Sequence, residues 1–141
     1  MKTGKSATDK IIIHNPKCKQ QAEKLNILRV QIWPQYTKVD FGYVAKNHYI
    51  RGGWVHIYNN TFIRDIKTGK KYSFIKAENI PLAPQKHYFH STIDYLYYSL
   101  YFQPIPKDIE QIDIIEKEND DSTFFNFYGI GLAKAEKEVM L

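Results

Sequence analysis

A single cysteine, Cys18, excludes an intrachain disulfide and leaves no thiol pair for redox chemistry or a zinc knuckle. Long hydrophobic runs are also missing. No stretch is apolar enough to cross a membrane, and Met1–Lys10 lacks the apolar centre of a signal peptide, which fits a cytoplasmic protein or one whose leader has been removed. Nor do apolar residues recur at helical spacing over the length of a crossover helix, which argues against a parallel α/β sheet. No glycine-framed serine elbow is present, so the commonest hydrolase arrangement has nothing to build on. There is no internal repeat and no low-complexity tract.

What the chain does have is aromatic residues, 15% of the total, with 11 Tyr and 8 Phe. Bulky aromatics suit a half-buried pleated surface, and 43% apolar with 25% charged residues is an ordinary globular balance for one domain of 141 residues. The net charge of +5 is unevenly placed. Residues 1–24 hold six lysines against Asp9 and Glu23, so nearly all the excess sits in a basic leader ahead of a near-neutral body. A nucleic-acid partner is therefore not expected.

Along the body, apolar and polar residues alternate with a period of two. Leu28, Val30 and Ile32 alternate with Arg29, Gln31 and Trp33; after Pro34, residues Thr37, Val39, Phe41 and Tyr43 continue the pattern, predicting a hairpin. Val55 and Ile57 oppose Trp54, His56 and Tyr58. Thr61–Asp65 and Tyr72–Ile75 flank a turn containing Gly69, a second hairpin, and Ile80–Pro84 reads as a crossing loop because of its two prolines. Asp94–Phe102 is the clearest strand, with Leu96, Tyr98, Leu100 and Phe102 on one face and Tyr95, Tyr97, Ser99 and Tyr101 on the other. Ile112 and Ile114 mark the next strand, Lys117–Ser122 a charged turn, and Thr123–Tyr128 a last strand. Ile11–Ile13 predicts an edge strand within the leader, and Ala133–Leu141, rich in Ala, Glu and Lys, a short helix or frayed tail. The expected organisation is a basic leader over 1–24, a β-domain over 25–132 and a tail over 133–141. Seven or eight short strands with frequent turns predict an all-β antiparallel sandwich or barrel.

Taken in order, Trp54-Val55-His56-Ile57, Thr61-Phe62-Ile63-Arg64-Asp65, Gly69-Lys70-Lys71-Tyr72, Ala77-Glu78-Asn79-Ile80-Pro81-Leu82, Phe102-Gln103-Pro104-Ile105-Pro106-Lys107, Ile112-Asp113-Ile114-Ile115-Glu116 and Phe127-Tyr128-Gly129-Ile130 resemble a family of small domains. These are immunoglobulin-like β-sandwich domains of bacterial envelope proteins, some of which precede a thioredoxin-like module. The resemblance covers roughly residues 25–132. It implies an immunoglobulin-like antiparallel sandwich in a periplasmic or extracellular setting and carries no catalytic residues or cofactor. With no CxxC in the chain, it implies no redox activity.

Candidate sites follow from residue type. His87 and His90, joined by His56 or His48, are the best available metal ligands, although zinc needs three or four converging groups and only HxxH is visible; exposed or hydrogen-bonded histidines are the simpler reading. The acidic run Glu116–Asp121 offers oxygens for calcium without the EF-hand spacing, and a solvated turn accounts for it equally. Cys18 with His14 is a thiol and imidazole pair with nothing evident to fix it, and no pair of carboxylates stands out for glycoside cleavage. The aromatic surplus points to binding instead. If the strand at 94–102 turns Tyr95, Tyr97 and Tyr101 outward, near Trp33 or Trp54, those rings form a surface for a protein partner or for stacking on sugars. The alternative is a central strand buried on both faces. A non-catalytic binding module is the expectation, without cofactor or metal.

Overall fold

The computed structural model describes residues 10–19, 25–44, 53–91, 94–118, 125–132 and 137–140. These form β1 (Lys10–His14), β2 (Leu25–Ile32), β3 (Thr37–Val44), β4 (Trp54–Val55), β5 (Phe62–Asp65), β6 (Lys71–Glu78), β7 (His87–Tyr88), β8 (Tyr95–Phe102), β9 (Gln111–Ile115), β10 (Phe127–Gly131) and β11 (Lys137–Met140). The all-β expectation holds, with eleven strands rather than seven or eight and no helix among the described residues. Nine strands make one sheet in the order β10-β9-β5-β6-β8-β3-β2-β1-β11, and β4 pairs separately with β7. Every strand pairing is antiparallel.

The sheet curls around one core, and a corner in β6 shows how. Lys71–Ser73 pair with β5, whereas Phe74–Glu78 pair with β8, and the register shifts between Phe74 and Lys76. A bulge bends its strand and increases the local twist. Ile75, at the shift, is consequently one of the exposed large apolar residues. Curling brings the inner face of β10 against that of β3. The Phe127 and Phe41 rings lie 5.7 Å apart, and Phe41 stacks on Tyr98 at 5.0 Å. Around them Val30, Val39, Phe102, Ile63, Ile112 and Ile130 are fully buried. The far edge of β10 is covered too: Gly131 N–H donates to the Lys17 carbonyl at 2.8 Å, and Lys19 N–H to that of Tyr128 at 3.0 Å. These bonds occupy backbone groups that a bare edge would offer to another chain.

The expected hairpins are present. β2 and β3 pair throughout, and Trp33 N–H closes their turn on the Tyr36 carbonyl at 3.0 Å. Between β5 and β6, the Asp65 carboxylate accepts from Lys67 N–H and the Thr68 hydroxyl, while Gly69 takes φ +78°, a conformation natural to glycine. Ile80–Pro84 is indeed a crossing segment, held by an isolated parallel bridge between Ile57 and Leu82.

Four elements differ from expectation. In β2 the buried residues are Leu25, Ile27, Val30 and Ile32, because a bulge between Ile27 and Arg29 turns Leu28 away from the core. β1 lies in the stretch read as a leader, yet Ile13 is fully buried and Ile11 nearly so; β1 is sandwiched between β2 and β11 and is not an edge. Residues 137–140 form β11 against Lys10–Ile13, replacing the expected helix; pairing with a neighbour overrides the weak helical preference of Ala, Glu and Lys. Of the last strand expected over Thr123–Tyr128, residues 123–124 lie outside the described residues, Phe125 and Asn126 are not in a strand, and β10 begins at Phe127 and runs through Gly129. Asn126 spends its side chain on Glu116 and Lys117 N–H and on the Lys117 carbonyl, closing the β9–β10 connection just before the strand. Gly129 takes φ +64° at the register shift in β10 and donates its N–H to the buried Asp113 carboxylate at 2.9 Å. Asp113 in turn is held by Arg64, whose guanidinium also reaches Glu118.

Candidate functional site

The outer face of β8 divides into an aromatic end and a polar end. At the aromatic end Tyr95 and Tyr97 are each 58% exposed and meet edge to face, with centroids 5.1 Å apart and planes crossing at 70°. Across the sheet they pair with Val44 and Gly42 of β3. The Tyr97 ring lies over Gly42 so closely that a methyl group there would stand 3.3 Å from it. The bulged Leu28 supplies the adjoining wall. Together with Asn26 and Val44 these residues line a shallow groove of about 280 Å³ to which the described residues bring no carboxylate, imidazole or ammonium group.

Tyr101 behaves differently and corrects the expected row of three. It is only 8% exposed, because the Lys38 and Lys76 ammonium groups lie over its ring, Tyr36 packs edge-on at 5.1 Å, and its hydroxyl donates to Glu78 at 2.9 Å. Burial and the neighbouring Glu78 carboxylate hold its phenol well above the ordinary value. Beside it, Asp40 is 5% exposed on the outer face of β3. Ser99 Oγ, Arg29 Nε and Gln31 Nε2 all donate to its carboxylate. Burial alone would raise its pKa, but those three hydrogen bonds and the charge of Lys38 outweigh it and leave the group below its ordinary value. The result is a saturated structural cluster.

Trp33 stands at the hairpin end with Tyr101. It is half-buried, with Lys10 over its ring at 4.2 Å, Tyr36 at 5.6 Å and its indole N–H on Gln31. Six residues of strand, about 20 Å, separate Tyr101 from Tyr95, so Trp33 does not join the exposed pair. Trp54 remains exposed. It pairs across β4–β7 with Tyr88, the most exposed aromatic described at 61%, and together with Gly53, Phe89 and His90 they line a second shallow groove of about 350 Å³. Asp94 links the two aromatic areas: one carboxylate oxygen accepts from His90 N–H and the other from Tyr95 N–H. Sequence reading missed Leu28, Gly42 and Tyr88. Tyr88-Phe89, two aromatics outside any alternation, was the available signal for the last; the bulge that places Leu28 leaves no compositional mark.

The polar candidates do not assemble. Among the described residues no three of His, Cys, Asp or Glu converge to hold a metal ion. His56 Nδ1 lies 3.2 Å from the Gln85 carbonyl, and His87 packs edge-on against Phe89; His48 lies outside the described residues. Of the acidic run, Glu116 spends its oxygens on Tyr58 and Phe125 N–H, and Glu118 pairs with Arg64; residues 119–121 lie outside the described set. Cys18 packs against the core, where burial pushes its thiol up to about 11, so it is not a thiolate near neutrality. Among the described residues no helix is long and apolar enough to cross a membrane.

Comparison with models of known protein families, with curated proteins and with solved structures finds no significant match.

Proposed function

We propose that this chain is a non-catalytic protein-interaction module of the bacterial envelope, working in a periplasmic or extracellular setting, and that it docks its partner through Tyr95 and Tyr97. The carrying observation is the exposure of both rings beside Leu28 and Val44 in a groove whose described lining is uncharged. Leaving an aromatic ring in water forgoes roughly 2 kcal/mol of burial, and tyrosine is enriched in the centres of interfaces. The rings are held on alternate positions of a strand that pairs with β3 throughout, Val44 opposite Tyr95 and Gly42 opposite Tyr97, which lowers the ordering cost of docking.

Carbohydrate binding ranks second. Rings crossing at 70° do not lie flat together beneath one sugar face. On the Trp54 surface, the Lys86 ammonium stands 4.3 Å over the indole.

The envelope setting and the immunoglobulin-like relationship rest on the order of segments that resembles that family. A two-layer reading is supported by the change of partners within β6 and by the facing rings of Phe41 and Phe127.

A photo-crosslinking amino acid at position 97 in native cells tests the function. A discrete protein adduct, absent when the same group sits at Thr68 and lost with Tyr95→Ala, is expected. Binding on a glycan array abolished by Tyr95→Ala or Tyr97→Ala, without such an adduct, would put the carbohydrate reading first. Recovery of the protein from the cytoplasmic fraction would overturn the envelope setting.

A further inference from the structure

The core contains a polar arrangement around Tyr98 that neither groove uses. Tyr98, on the inner face of β8, is 3% exposed, and its hydroxyl is fully buried with no hydrogen-bond partner among the described residues. A buried hydroxyl without a partner is costly, and nearly all such groups find one in the protein or in an internal water. Tyr98 lines a small void of about 10 Å³ together with Phe41, Leu100, Ile114 and Phe127, and Thr61 and Glu116 are the other polar residues along it. Such a volume is about that of a single water probe, too small for an organic ligand or a hydrated ion.

The polar walls are fixed from outside the void. Glu116, 5% exposed, accepts from Tyr58 N–H at 3.1 Å through one oxygen and from Phe125 N–H at 2.8 Å through the other. Thr61 donates its hydroxyl to the Tyr58 carbonyl at 2.7 Å and keeps lone pairs to offer. A carboxylate can accept about four hydrogen bonds in all, two on each oxygen. Burial, and then the charge of Glu116, hold the Tyr98 phenol far above its ordinary value, so it remains a donor at any physiological pH.

We infer that this void is a binding site for one ordered water, which accepts from the Tyr98 hydroxyl and donates to the Glu116 carboxylate and the Thr61 hydroxyl. Three partners are what an internal water ordinarily makes. The water joins β8 to the Tyr58–Thr61 turn and to Glu116 at the end of β9, and so ties three separate parts of the chain together.

The sign of one substitution separates a bridged hydroxyl from an orphaned one. With the water in place, Tyr98→Phe removes a bond from a satisfied network, and the midpoint of thermal unfolding should fall by roughly 3 °C. With no water, the same substitution removes an unsatisfied group, and the midpoint should rise. Independently of any variant, an experimental structure near 1.5 Å resolution should show a peak about 2.6–3.1 Å from both Tyr98 Oη and a Glu116 oxygen. Water-to-protein Overhauser effects in the wild-type protein should reach the Tyr98 ring. A direct Tyr98–Glu116 hydrogen bond, an empty void, or a raised midpoint would each overturn the inference.

Discussion

Asp40 illustrates how a single charged residue is made compatible with an almost buried position. Its carboxylate takes hydrogen bonds from Arg29, Gln31 and Ser99 and stands near Lys38, so the ionised form is favoured and its pKa is depressed. A depressed carboxylate stabilises the fold at pH values above the unfolded value of about 3.9, and that contribution is lost as the pH falls through the folded value. Asp40→Asn should therefore lower the unfolding midpoint at pH 7, and the gap between variant and wild type should narrow as the pH falls below about 4. Calorimetry at pH 7 and pH 2.5 checks this; a gap that stays constant would mean that shape, not charge, explains Asp40. Asp94 also has a depressed pKa, through its bonds to His90 and Tyr95 N–H, but it is present in both proteins and cancels from the comparison. None of the Asp40 cluster was legible in sequence. Arg29, Gln31, Asp40 and Ser99 come from three strands, and only the register brings them together.

At the scale of elements, the β2 bulge joins packing to the candidate site. Ile27 pairs with Phe41 and Arg29 with Asp40, so Leu28 is the surplus residue. Deleting Leu28 should leave a regular ladder with Leu25, Ile27, Val30 and Ile32 still facing inward, at a stability cost within about 2 kcal/mol. Deleting Gln31 instead puts Ile32 or Val30 on the wrong face and should unfold the protein. Circular dichroism melts of the two deletions give the comparison, and loss of fold in both would show that the bulge is needed for folding. If the proposed docking face is right, the Leu28 deletion should also reduce the photo-crosslinked adduct at position 97, because it removes one wall of the groove. Elements with an unbroken period were readable in advance: the outward and inward faces of β8 follow from simple alternation between Tyr95 and Phe102. Those set by a neighbour were not. β11 looked helical because pairing with β1 is invisible in its composition, and Tyr101 looked exposed because the groups that cover it, Lys38, Tyr36 and Lys76, are remote in sequence.

For the whole molecule, the decisive question is what closes the curled sheet. Charge marked residues 1–24 as a solvated leader, since six lysines in so short a stretch outweigh one apolar triplet. In the folded chain, however, Ile11 and Ile13 face the core, Lys17 and Lys19 complete the edge of β10, and Gly129 lies against the Lys19 side chain. The lysines are compatible with this because the strand alternates; Lys10 can lie over Trp33 while its neighbours turn inward. Burying each isoleucine is worth roughly 2–3 kcal/mol, and a domain of this size has only about 5–15 kcal/mol in total. Removing residues 1–19 should therefore cost most or all of the stability, and Ile13→Asp, which places an unpaired carboxylate at a fully buried position, should do the same without shortening the chain. A solvated leader predicts the reverse, with both variants as stable as the parent. Amide dispersion in a two-dimensional NMR spectrum, read alongside the thermal midpoint, distinguishes the outcomes: collapsed dispersion in both variants assigns β1 to the folding unit, and native spectra in both return it to the leader.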